Sequence, residues 1–312
     1  MLPKMFDCSV MDGALLRGYE PNIKKITHSF AIPCETNSYI DYISIEHAIV
    51  PVVKYHIFDR FENLIHGCST RQGGVSKSHL ASMNLSSSRG DDILCVKENY
   101  RRFGEALSFD PNRLVCSDQV HSTNIYIATE EDAGRGTTEK EKLKEIDGIV
   151  TNVKNLPIMT FYADCVPLYF YDPVKEVIAM AHSGWRGTVN NIGGKMIILM
   201  QKQYNCNPRD IVCAIGPSIC KACYEVSEDV AVAFADAYPP EQYKQMITAK
   251  DNNKYQLDLH MACYFNFMNA GICPSNIALP DYCTCCNPNV FFSHRATCGK
   301  RGNLGAVIMM RQ

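Results

Sequence analysis

The sequence lacks the features that mark several classes of protein. No uncharged apolar run reaches the roughly 18 residues that a membrane-spanning helix needs, which argues against a membrane protein. The first twenty residues contain no basic segment followed by an apolar one, so we expect no secretion signal. A formal net charge of -2 provides no basic surface for nucleic acid. We therefore expect a cytoplasmic protein that binds neither membranes nor nucleic acid.

Cysteine, by contrast, is abundant, with 16 residues in a chain of 312. In a chain of this size without an export signal, most of these residues should be reduced thiols. Two groups stand out, Cys220 with Cys223 and Cys283 with Cys285 and Cys286. They could hold a second, structural metal if the fold brought them together, but our preferred interpretation is unpaired thiols near a pocket.

The order of the predicted elements indicates the fold class. Residues 1–45 mix glycine, proline and charge without sustained periodicity, and we interpret them as an N-terminal extension. Over residues 46–312, short apolar runs alternate with helices predicted at 93–107, 188–204, 227–237 and 258–270. Some strands are joined by hairpin-length turns and others through helices. This order predicts an α+β fold with mixed sheets in a single domain, rather than a doubly wound parallel sheet.

Three residues suited to binding a metal each lie where a predicted strand runs into a polar turn: His121, Cys165 and His182. Two imidazoles and a thiolate can hold a tetrahedral zinc ion whose fourth position stays open, as in catalytic zinc sites. Their spacings of 44 and 17 residues fit no compact zinc finger, so a complete fold must assemble the site. We also expect Pro167 to break strand pairing and leave Cys165 at an open end.

Motifs dispersed along the chain carry a resemblance to a known family. They are STRQGGVS at 69–76, SMNLSSSRGDD at 82–92, DQVHS at 118–122, DGIVTN at 147–152, ADCVPL at 163–168, AHSGWRGT at 181–188, IGPSICKACYEV at 215–226, LDLH at 257–260, CT at 283–284 and FFSHR at 291–295. In these stretches the chain resembles the laccase-domain family, known both as YfiH-like polyphenol oxidases and as purine nucleoside phosphorylases. It departs from the family pattern at Ser183, where alanine is usual, and in having Cys220, Cys285 and Cys286.

The resemblance implies a layered α+β sandwich and one catalytic zinc held by His121, Cys165 and His182. It also implies that the substrates are purine nucleosides and phosphate. The implied reactions are phosphorolysis of adenosine, inosine and 5'-methylthioadenosine, with adenosine deamination in the same pocket.

The family's two names disagree, and the histidines help to decide between them. A four-copper laccase needs many histidines in His-X-His pairs, whereas this chain has 9 histidines and no such pair. The composition therefore excludes the four-copper cluster. A single adventitious copper ion at the His/Cys/His site stays open, because copper outcompetes zinc at such ligands.

Several polar residues are candidates for assisting the metal. Arg71, in a Gly-rich turn, and Arg186, near His182, are candidates to bind phosphate, although either could be a surface salt-bridge partner. Arg295 and Asn84 are weaker candidates for binding substrate. Asp164 is our candidate proton shuttle; neighbours on a regular strand point to opposite faces, so it could instead cap local backbone N–H groups.

Alternatives remain at this point. Glu225 is a second candidate for the proton shuttle. Cys165 could be the nucleophile of a metal-free hydrolase with a histidine base. Copper-dependent polyphenol oxidase activity and a non-enzymatic binding protein are further alternatives.

Overall fold

The computed structural model describes residues 23–27, 37–138 and 140–312. Most of the predicted N-terminal extension therefore lies outside the described residues. The strands are β1 (Ser38–Ile45), β2 (Ala48–Tyr55), β3 (Leu64–Ser69), β4 (Val115–Asp118), β5 (Ile125–Ile127), β6 (Leu143–Lys144), β7 (Gly148–Thr151), β8 (Ile158–Tyr162), β9 (Val166–Asp172), β10 (Val177–Ser183), β11 (Val212–Ile215), β12 (Glu225–Ser227), β13 (Ile247–Ala249), β14 (Lys254–Leu257), β15 (Ile277–Ala278) and β16 (Leu304–Met310). The helices are α1 (Ile93–Leu107), α2 (Trp185–Val189), α3 (Ile192–Tyr204), α4 (Glu228–Ala237), α5 (Pro240–Met246) and α6 (Leu259–Asn269).

The strands form three sheets. The first has seven strands in the order β1-β2-β3-β16-β8-β4-β6, and the second has six in the order β15-β11-β9-β10-β7-β5. The third is a small sheet of β12, β14 and β13. Most neighbours are antiparallel, but β4 runs parallel to β8 and to β6, β5 to β7, and β11 to β15. The sheets are therefore mixed, and the predicted fold class is confirmed.

The two large sheets pack face to face between layers of helices. In β10, Ile178 and Met180 lie in the core between the sheets, whereas Val177, Ala179 and Ala181 lie in the core beneath α3 and α6. The strand alternates between two apolar environments because successive side chains point to opposite faces. The outer face of the seven-stranded sheet is covered by α1. The result is a layered α/β/β/α sandwich.

Most of the predicted helices are confirmed, and one is corrected. The prediction for 93–107 matches α1 along its whole length, and α4 and α6 begin within one residue of their predicted starts. The predicted helix 188–204 is instead two helices, α2 and α3. Asn191 separates them because it adopts a left-handed conformation, with φ 57°, and its side chain accepts a hydrogen bond from the Gly194 N–H.

The expectation that Pro167 breaks strand pairing is wrong. Pro167 is the second residue of β9, pairs in register with His182, and accepts a hydrogen bond from the Gly216 N–H at 2.7 Å through its carbonyl group. Proline is tolerated there because it lies at the very start of the strand, where one missing donor costs little. Cys165 still precedes the strand, as expected.

Residues near the predicted domain boundary belong to the first sheet. Strand β1 falls within 1–45 and pairs antiparallel with β2 along its full length. Its start is fixed by the buried carboxylate of Asp281, whose Oδ2 accepts hydrogen bonds from the N–H groups of Asn37 and Ser38 at 3.0 and 2.6 Å. The domain boundary at residue 45 stays a prediction. Across the described ranges, no helix combines the length and apolarity required to cross a bilayer.

Candidate active site

The three predicted metal ligands meet where the chain passes between the two large sheets. His121 lies in the connection from β4 to β5, and Cys165 lies in the connection from β8 to β9. Each of these connections leads from the seven-stranded sheet to the six-stranded sheet. His182 is the penultimate residue of β10. The layered fold thus brings together residues that lie far apart in the sequence.

The geometry of this triad fits a metal ion. The potential ligand atoms of His121, Cys165 and His182 all lie within 4.8 Å of one another, and Cys165 Sγ is 3.7 Å from His121 Nε2. His182 is 3% exposed, whereas His121 is exposed to solvent. Three borderline-soft ligands with one open side are the arrangement that a catalytic zinc site requires.

A carboxylate that we did not assign from the sequence orients the triad. Asp147, the residue before β7, is fully buried, and its Oδ1 lies 2.8 Å from His182 Nδ1. The same carboxylate accepts hydrogen bonds from the backbone N–H groups of Val120, His121 and Ser122 at 3.2, 3.0 and 2.8 Å. Asp147 therefore positions one ligand through its ring and another through its backbone. Its place in the DGIVTN motif was the available sequence signal.

Electrostatic interactions among Cys165, His182 and Asp147 favour the charged form of each group. Partial burial raises the pKa of the Cys165 thiol, but the His182 and His121 imidazoles outweigh it and lower the pKa to about 6. Burial lowers the pKa of His182, but Cys165 and Asp147 together raise it to about 9. Burial also raises the pKa of Asp147, yet its hydrogen bonds to His182 and Ser122 hold it below the usual value. The site therefore favours a thiolate, which is the form that binds metals.

Close packing around Gly184 limits the space for a side chain next to His121 and Cys165. A Cβ atom at this position would lie 2.6 Å from His121 Cδ2 and 3.2 Å from Cys165 Sγ. A side chain at this position would therefore require the His121 ring to shift and the Cys165 sulfur to give way slightly, whereas glycine leaves room for both. Gly184 precedes α2 and follows β10, which explains why a tight strand-to-helix turn is needed here.

Asp164 does share the region of the triad. A bend over residues 163–165 separates β8 from β9, and Asp164 has a left-handed φ of 89°. This bend, rather than Pro167, breaks the alternation of the strand. Thr284 Oγ1 donates to Asp164 Oδ1 at 2.6 Å, and the Arg295 N–H donates to Oδ2 at 2.7 Å. The carboxylate thus caps a backbone N–H beside the triad, and its role as proton shuttle stays a prediction.

Arg71 has well-defined contacts within its own loop. Its Nε donates to the Ala81 carbonyl at 2.9 Å and its Nη1 to the Pro288 carbonyl at 2.7 Å. The guanidinium group also lies over the Phe292 ring, 4.6 Å from its centroid. These contacts join the Gly-rich turn to the loop before β16. A role of Arg71 in binding phosphate stays a prediction.

Arg186 lies closer to the triad. It is exposed in the first turn of α2, 4.4 Å from the centroid of the Trp185 ring. It acts electrostatically on Tyr224. Burial and the charge of Cys165 raise the pKa of Tyr224, whereas the charges of Arg295 and Arg186 lower it. Tyr224, which we did not assign from the sequence, therefore lies among the charges that surround the Cys165 thiol.

Arg295 and Glu225 both make contacts on the neighbouring loop. Arg295 donates to the backbone carbonyls of Cys223 and Glu225 at 3.2 and 3.1 Å, and lies 5.4 Å from the Tyr224 ring. The Glu225 carboxylate forms an exposed ion pair with Lys250. These contacts occupy Arg295 and Glu225, and their proposed roles at the reacting atoms stay predictions.

Asn84 is fully buried and makes a complete set of hydrogen bonds. Its Nδ2 donates to Ser86 O at 3.0 Å and to Asp91 Oδ2 at 2.8 Å, and its Oδ1 accepts from the N–H groups of Ser86 and Asn303 at 3.1 and 3.0 Å. Asn303 in turn accepts a hydrogen bond from Arg301. Asn84 therefore helps to fix the segment that carries Arg301. Its role in binding substrate stays a prediction.

Arg301 carries a buried donor and is influenced electrostatically by Arg89, and we assigned neither residue from the sequence. Arg301 Nε is buried and has no hydrogen-bond acceptor among residues 23–27, 37–138 and 140–312. Burial, and then the Arg89 guanidinium, lower the pKa of Arg301 to about 10, whereas Asp164 and Cys165 act in the opposite direction. A buried guanidinium donor without an acceptor, in the positive field of a second arginine, makes Arg301 a candidate to bind an anion. Arg89 lies within the SMNLSSSRGDD motif, which was the available signal.

A separate cavity lies elsewhere in the fold. It has a volume of about 280 Å³ and is lined by residues that include Lys54, His66, Leu107 and Arg311. None of the triad residues lines it. We assign no chemistry to this cavity, because neither of the two His/Cys clusters that could hold a metal contributes to its lining.

Comparisons with known proteins agree with the motifs. A family model described as "Multi-copper polyphenol oxidoreductase laccase" matches residues 65–311. The chain is 36% identical over 253 residues to the purine nucleoside phosphorylase YlmD of Geobacillus stearothermophilus. The aligned residues cover 81% of this chain and 92% of that protein.

Solved structures show the same fold. The crystal structure of YlmD from Geobacillus stearothermophilus has a TM-score of 0.80 at 34% identity, covering 87% of this chain and 100% of that chain. The crystal structure of the Bacillus licheniformis hypothetical protein YfiH has a TM-score of 0.79 at 30% identity, covering 83% and 96% of the two chains. These matches confirm both the resemblance and the layered fold.

Proposed function

The chain belongs to the multi-copper polyphenol oxidoreductase laccase family, and on that premise we propose that it is a zinc-dependent purine nucleoside phosphorylase. Its substrates would be phosphate with adenosine, inosine or 5'-methylthioadenosine, and it would also deaminate adenosine. The observation that carries the proposal is the His121, Cys165 and His182 triad, whose potential ligand atoms all lie within 4.8 Å of one another. The name of the YlmD relative supports the same reaction class.

The donor set fits zinc better than a multicopper cluster. One thiolate and two imidazoles would hold one ion, and Asp147 fixes the His182 ring so that its Nε2 is left to face the ligand position. When bound, zinc supplies Lewis acidity at the open side of the triad. Among the described residues, potential ligand atoms gather in two groups, and the other group consists of cysteines alone.

Arg301 and Arg89 would supply the phosphate site. A phosphate dianion relieves the repulsion between Arg301 and Arg89 and offers an acceptor to the buried Arg301 Nε. In phosphorolysis a phosphate oxygen bonds to ribose C1' as the bond from C1' to the purine nitrogen breaks. The bonding electrons leave with the purine, which then takes up a proton. Asp164 lies next to Cys165 and is our candidate to relay that proton.

The main rival from another class uses the same residues differently. Cys165 Sγ lies 3.7 Å from His121 Nε2, and the thiol pKa is lowered to about 6, which would also suit a cysteine nucleophile with a histidine base. The buried Asp147 favours the metal site, because carboxylates commonly orient metal-binding histidines. We place the reaction in the cytoplasm, where reduced thiols persist.

Product analysis from a nucleoside panel tests the proposal. Purified protein is incubated with adenosine, inosine and 5'-methylthioadenosine, with and without phosphate, and the products are separated by chromatography. We expect free purine and (methylthio)ribose 1-phosphate only when phosphate is present, and inosine from adenosine without it. The Cys165→Ala variant should lose both reactions together with bound zinc.

Two outcomes would contradict the proposal. Full activity in metal-free protein would favour the cysteine hydrolase. Absence of every product with zinc bound, together with copper-dependent oxidation of a phenol, would favour the polyphenol oxidase alternative.

A further inference from the structure

Four cysteines outside the triad form a second cluster. Cys220 and Cys223 lie in the segment after β11, and Cys283 and Cys286 lie between β15 and β16. All four sulfur atoms lie within 4.8 Å of one another. We propose that these four cysteines hold a second metal ion, a structural zinc in a closed tetrathiolate site.

The distances fit one tetrahedral ion. Zinc–sulfur bonds of about 2.3 Å place the sulfur atoms of a tetrahedral site about 3.8 Å apart. Cys220 Sγ and Cys286 Sγ are 3.9 Å apart, and Cys223 Sγ and Cys286 Sγ are 3.3 Å apart. A disulfide would require about 2.0 Å, and all four residues are free thiols in the structure. A cluster of several iron atoms would hold its cysteines farther apart, so the geometry favours a single ion.

The spacing of the cysteines and the backbone around them suit a bound metal ion. Each pair has the spacing Cys-X-X-Cys, which is the usual spacing in structural zinc sites. The backbone N–H groups of Cys220 and Cys286 both point at Cys283 Sγ, at 3.2 and 3.4 Å. Such N–H donors stabilise a thiolate, because hydrogen bonding to the charged form favours it.

A short backbone pairing holds the two turns together. Ser218 and Cys283 form a parallel β-bridge, and the Thr284 N–H donates to the Ser218 carbonyl at 3.1 Å. The sulfur atoms therefore meet because the two segments are already joined beside them. A preformed set of four thiolates, with no oxygen or nitrogen ligand, selects soft or borderline ions such as zinc.

The second site would stabilise the segments that contact Asp164, next to the triad residue Cys165. Thr284, between the two cysteines of the second turn, donates to Asp164, and Asp164 precedes the ligand Cys165. Arg295 donates to the carbonyl of Cys223 in the first turn. A metal that ties the two turns together would thus fix the groups that surround Asp164. Four protein ligands leave no open position, so the ion would be structural rather than catalytic.

Metal analysis of matched variants tests this inference. Protein expressed with added zinc is assayed by mass spectrometry of the metals, comparing wild type with Cys286→Ser, Cys165→Ala and Cys285→Ser. We expect Cys286→Ser to lose one equivalent of zinc, and Cys165→Ala to lose a different equivalent, so that the double variant loses both. Cys285→Ser, a neighbouring thiol outside the cluster, should keep the wild-type content. Equal zinc in wild type and Cys286→Ser would overturn the proposal.

A measurement on the wild-type protein covers the case in which Cys286→Ser does not fold. Protein grown with cobalt in place of zinc should show the absorption spectrum of a tetrathiolate site, which has intense sulfur-to-cobalt charge-transfer bands and intense bands in the visible range. Alkylation followed by peptide mapping should find the four cysteines protected until a chelator is added. A disulfide between Cys223 and Cys286, rapid alkylation of all four thiols, or iron in place of zinc would each overturn the assignment.

Discussion

His182 Nδ1 lies 2.8 Å from Asp147 Oδ1 in a fully buried pair, and this contact sets the orientation of the triad. With Nδ1 donating to the carboxylate, the Nε2 lone pair of His182 is left for a metal ion. The same carboxylate accepts the backbone N–H of His121 at 3.0 Å. One side chain therefore couples two ligands that lie on different connections of the fold.

Replacement of Asp147 should weaken metal binding. In Asp147→Asn, one oxygen becomes an amide nitrogen that cannot accept the backbone N–H groups now bound by the carboxylate. We expect zinc affinity to fall about 10- to 100-fold, as is usual when a carboxylate behind a metal-binding histidine is lost. Competition with a chromophoric chelator measures the change.

Asp281→Asn is the matched control for that experiment. Asp281 is also a buried carboxylate that accepts two backbone N–H groups, but these belong to Asn37 and Ser38 at the start of β1. It should cost stability, by about 1–3 kcal/mol for the donors left unsatisfied, and leave zinc affinity unchanged. If both variants lost zinc equally, general destabilisation would explain the result and Asp147 would have no special role.

Gly184→Ala should damage the triad without removing a ligand. The new methyl group would lie 2.6 Å from His121 Cδ2, so the ring must shift from its place in the triad. We expect weaker zinc binding and loss of activity, with an overpacking cost of about 1–3 kcal/mol. Zinc content after dialysis and thermal unfolding measure the two effects.

Gly187→Ala, three residues along in α2, provides the comparison. Its Cβ would lie 3.4 Å from the carbonyl oxygens of His182 and Ser122, an ordinary contact. Alanine is favoured over glycine inside a helix by roughly 0.5–1 kcal/mol, so this variant should keep its zinc. Normal zinc affinity in Gly184→Ala would mean that the close approach does not constrain the site.

The clustering of His121, Cys165 and His182 could be predicted from the sequence because each lies close to the end of a strand, whereas their role as metal ligands stays a prediction. His182 follows a continuous apolar run, and that run is β10, buried on both faces. The helix predicted at roughly 93–107 coincides with α1, because its apolar positions recur with helical periodicity. The structure adds that Asp92 caps its start. Local patterns of this kind are visible without knowing the fold.

Residues that act across the fold could not be predicted in the same way. Arg301 precedes β16, and the pairing of β16 with β8, the strand before Cys165, connects distant parts of the sequence. The two Cys-X-X-Cys turns meet because Ser218 and Cys283 form a bridge between distant segments. The break between α2 and α3 depends on the left-handed backbone of Asn191, and asparagine alone does not reveal that conformation.

His66 should make the stability of the protein depend on pH. It is 5% exposed, and its Nε2 accepts the Tyr55 N–H at 3.0 Å, so the folded state holds it neutral. Burial, and then the charge of Lys54, lower its pKa from 6.5 to about 3. Between these two values the unfolded chain binds a proton that the folded chain does not, so stability falls as the pH decreases from about 6.5 towards 3.

His66→Gln should reduce this dependence, because glutamine keeps an acceptor but does not titrate. The gap in unfolding free energy between wild type and variant should shrink by about 2 kcal/mol between pH 7.5 and 5, since each unit of pH is worth about 1.4 kcal/mol per proton. Urea denaturation at several pH values measures it. His47→Gln, at an exposed position in the turn between β1 and β2, should keep the wild-type slope. A wild-type slope in His66→Gln would show that His66 does not contribute.

Arg301→Gln should weaken phosphate binding specifically. The buried Nε of Arg301 has no acceptor within the described part of the chain, and Arg89 raises the local positive potential, so an anion gains both a donor and charge there. Loss of a charged hydrogen bond of about 1.5–3 kcal/mol should raise the KM for phosphate about 10- to 100-fold. The KM for the nucleoside should change much less, because the ribose and base would bind elsewhere in the site.

Initial rates with phosphate and nucleoside varied separately give both constants. The control variant Arg113→Gln replaces an arginine paired with exposed Glu130, and it should alter neither constant. A rise confined to the nucleoside KM would place phosphate away from Arg301 and leave Arg71 and Arg186 as the candidates to bind it.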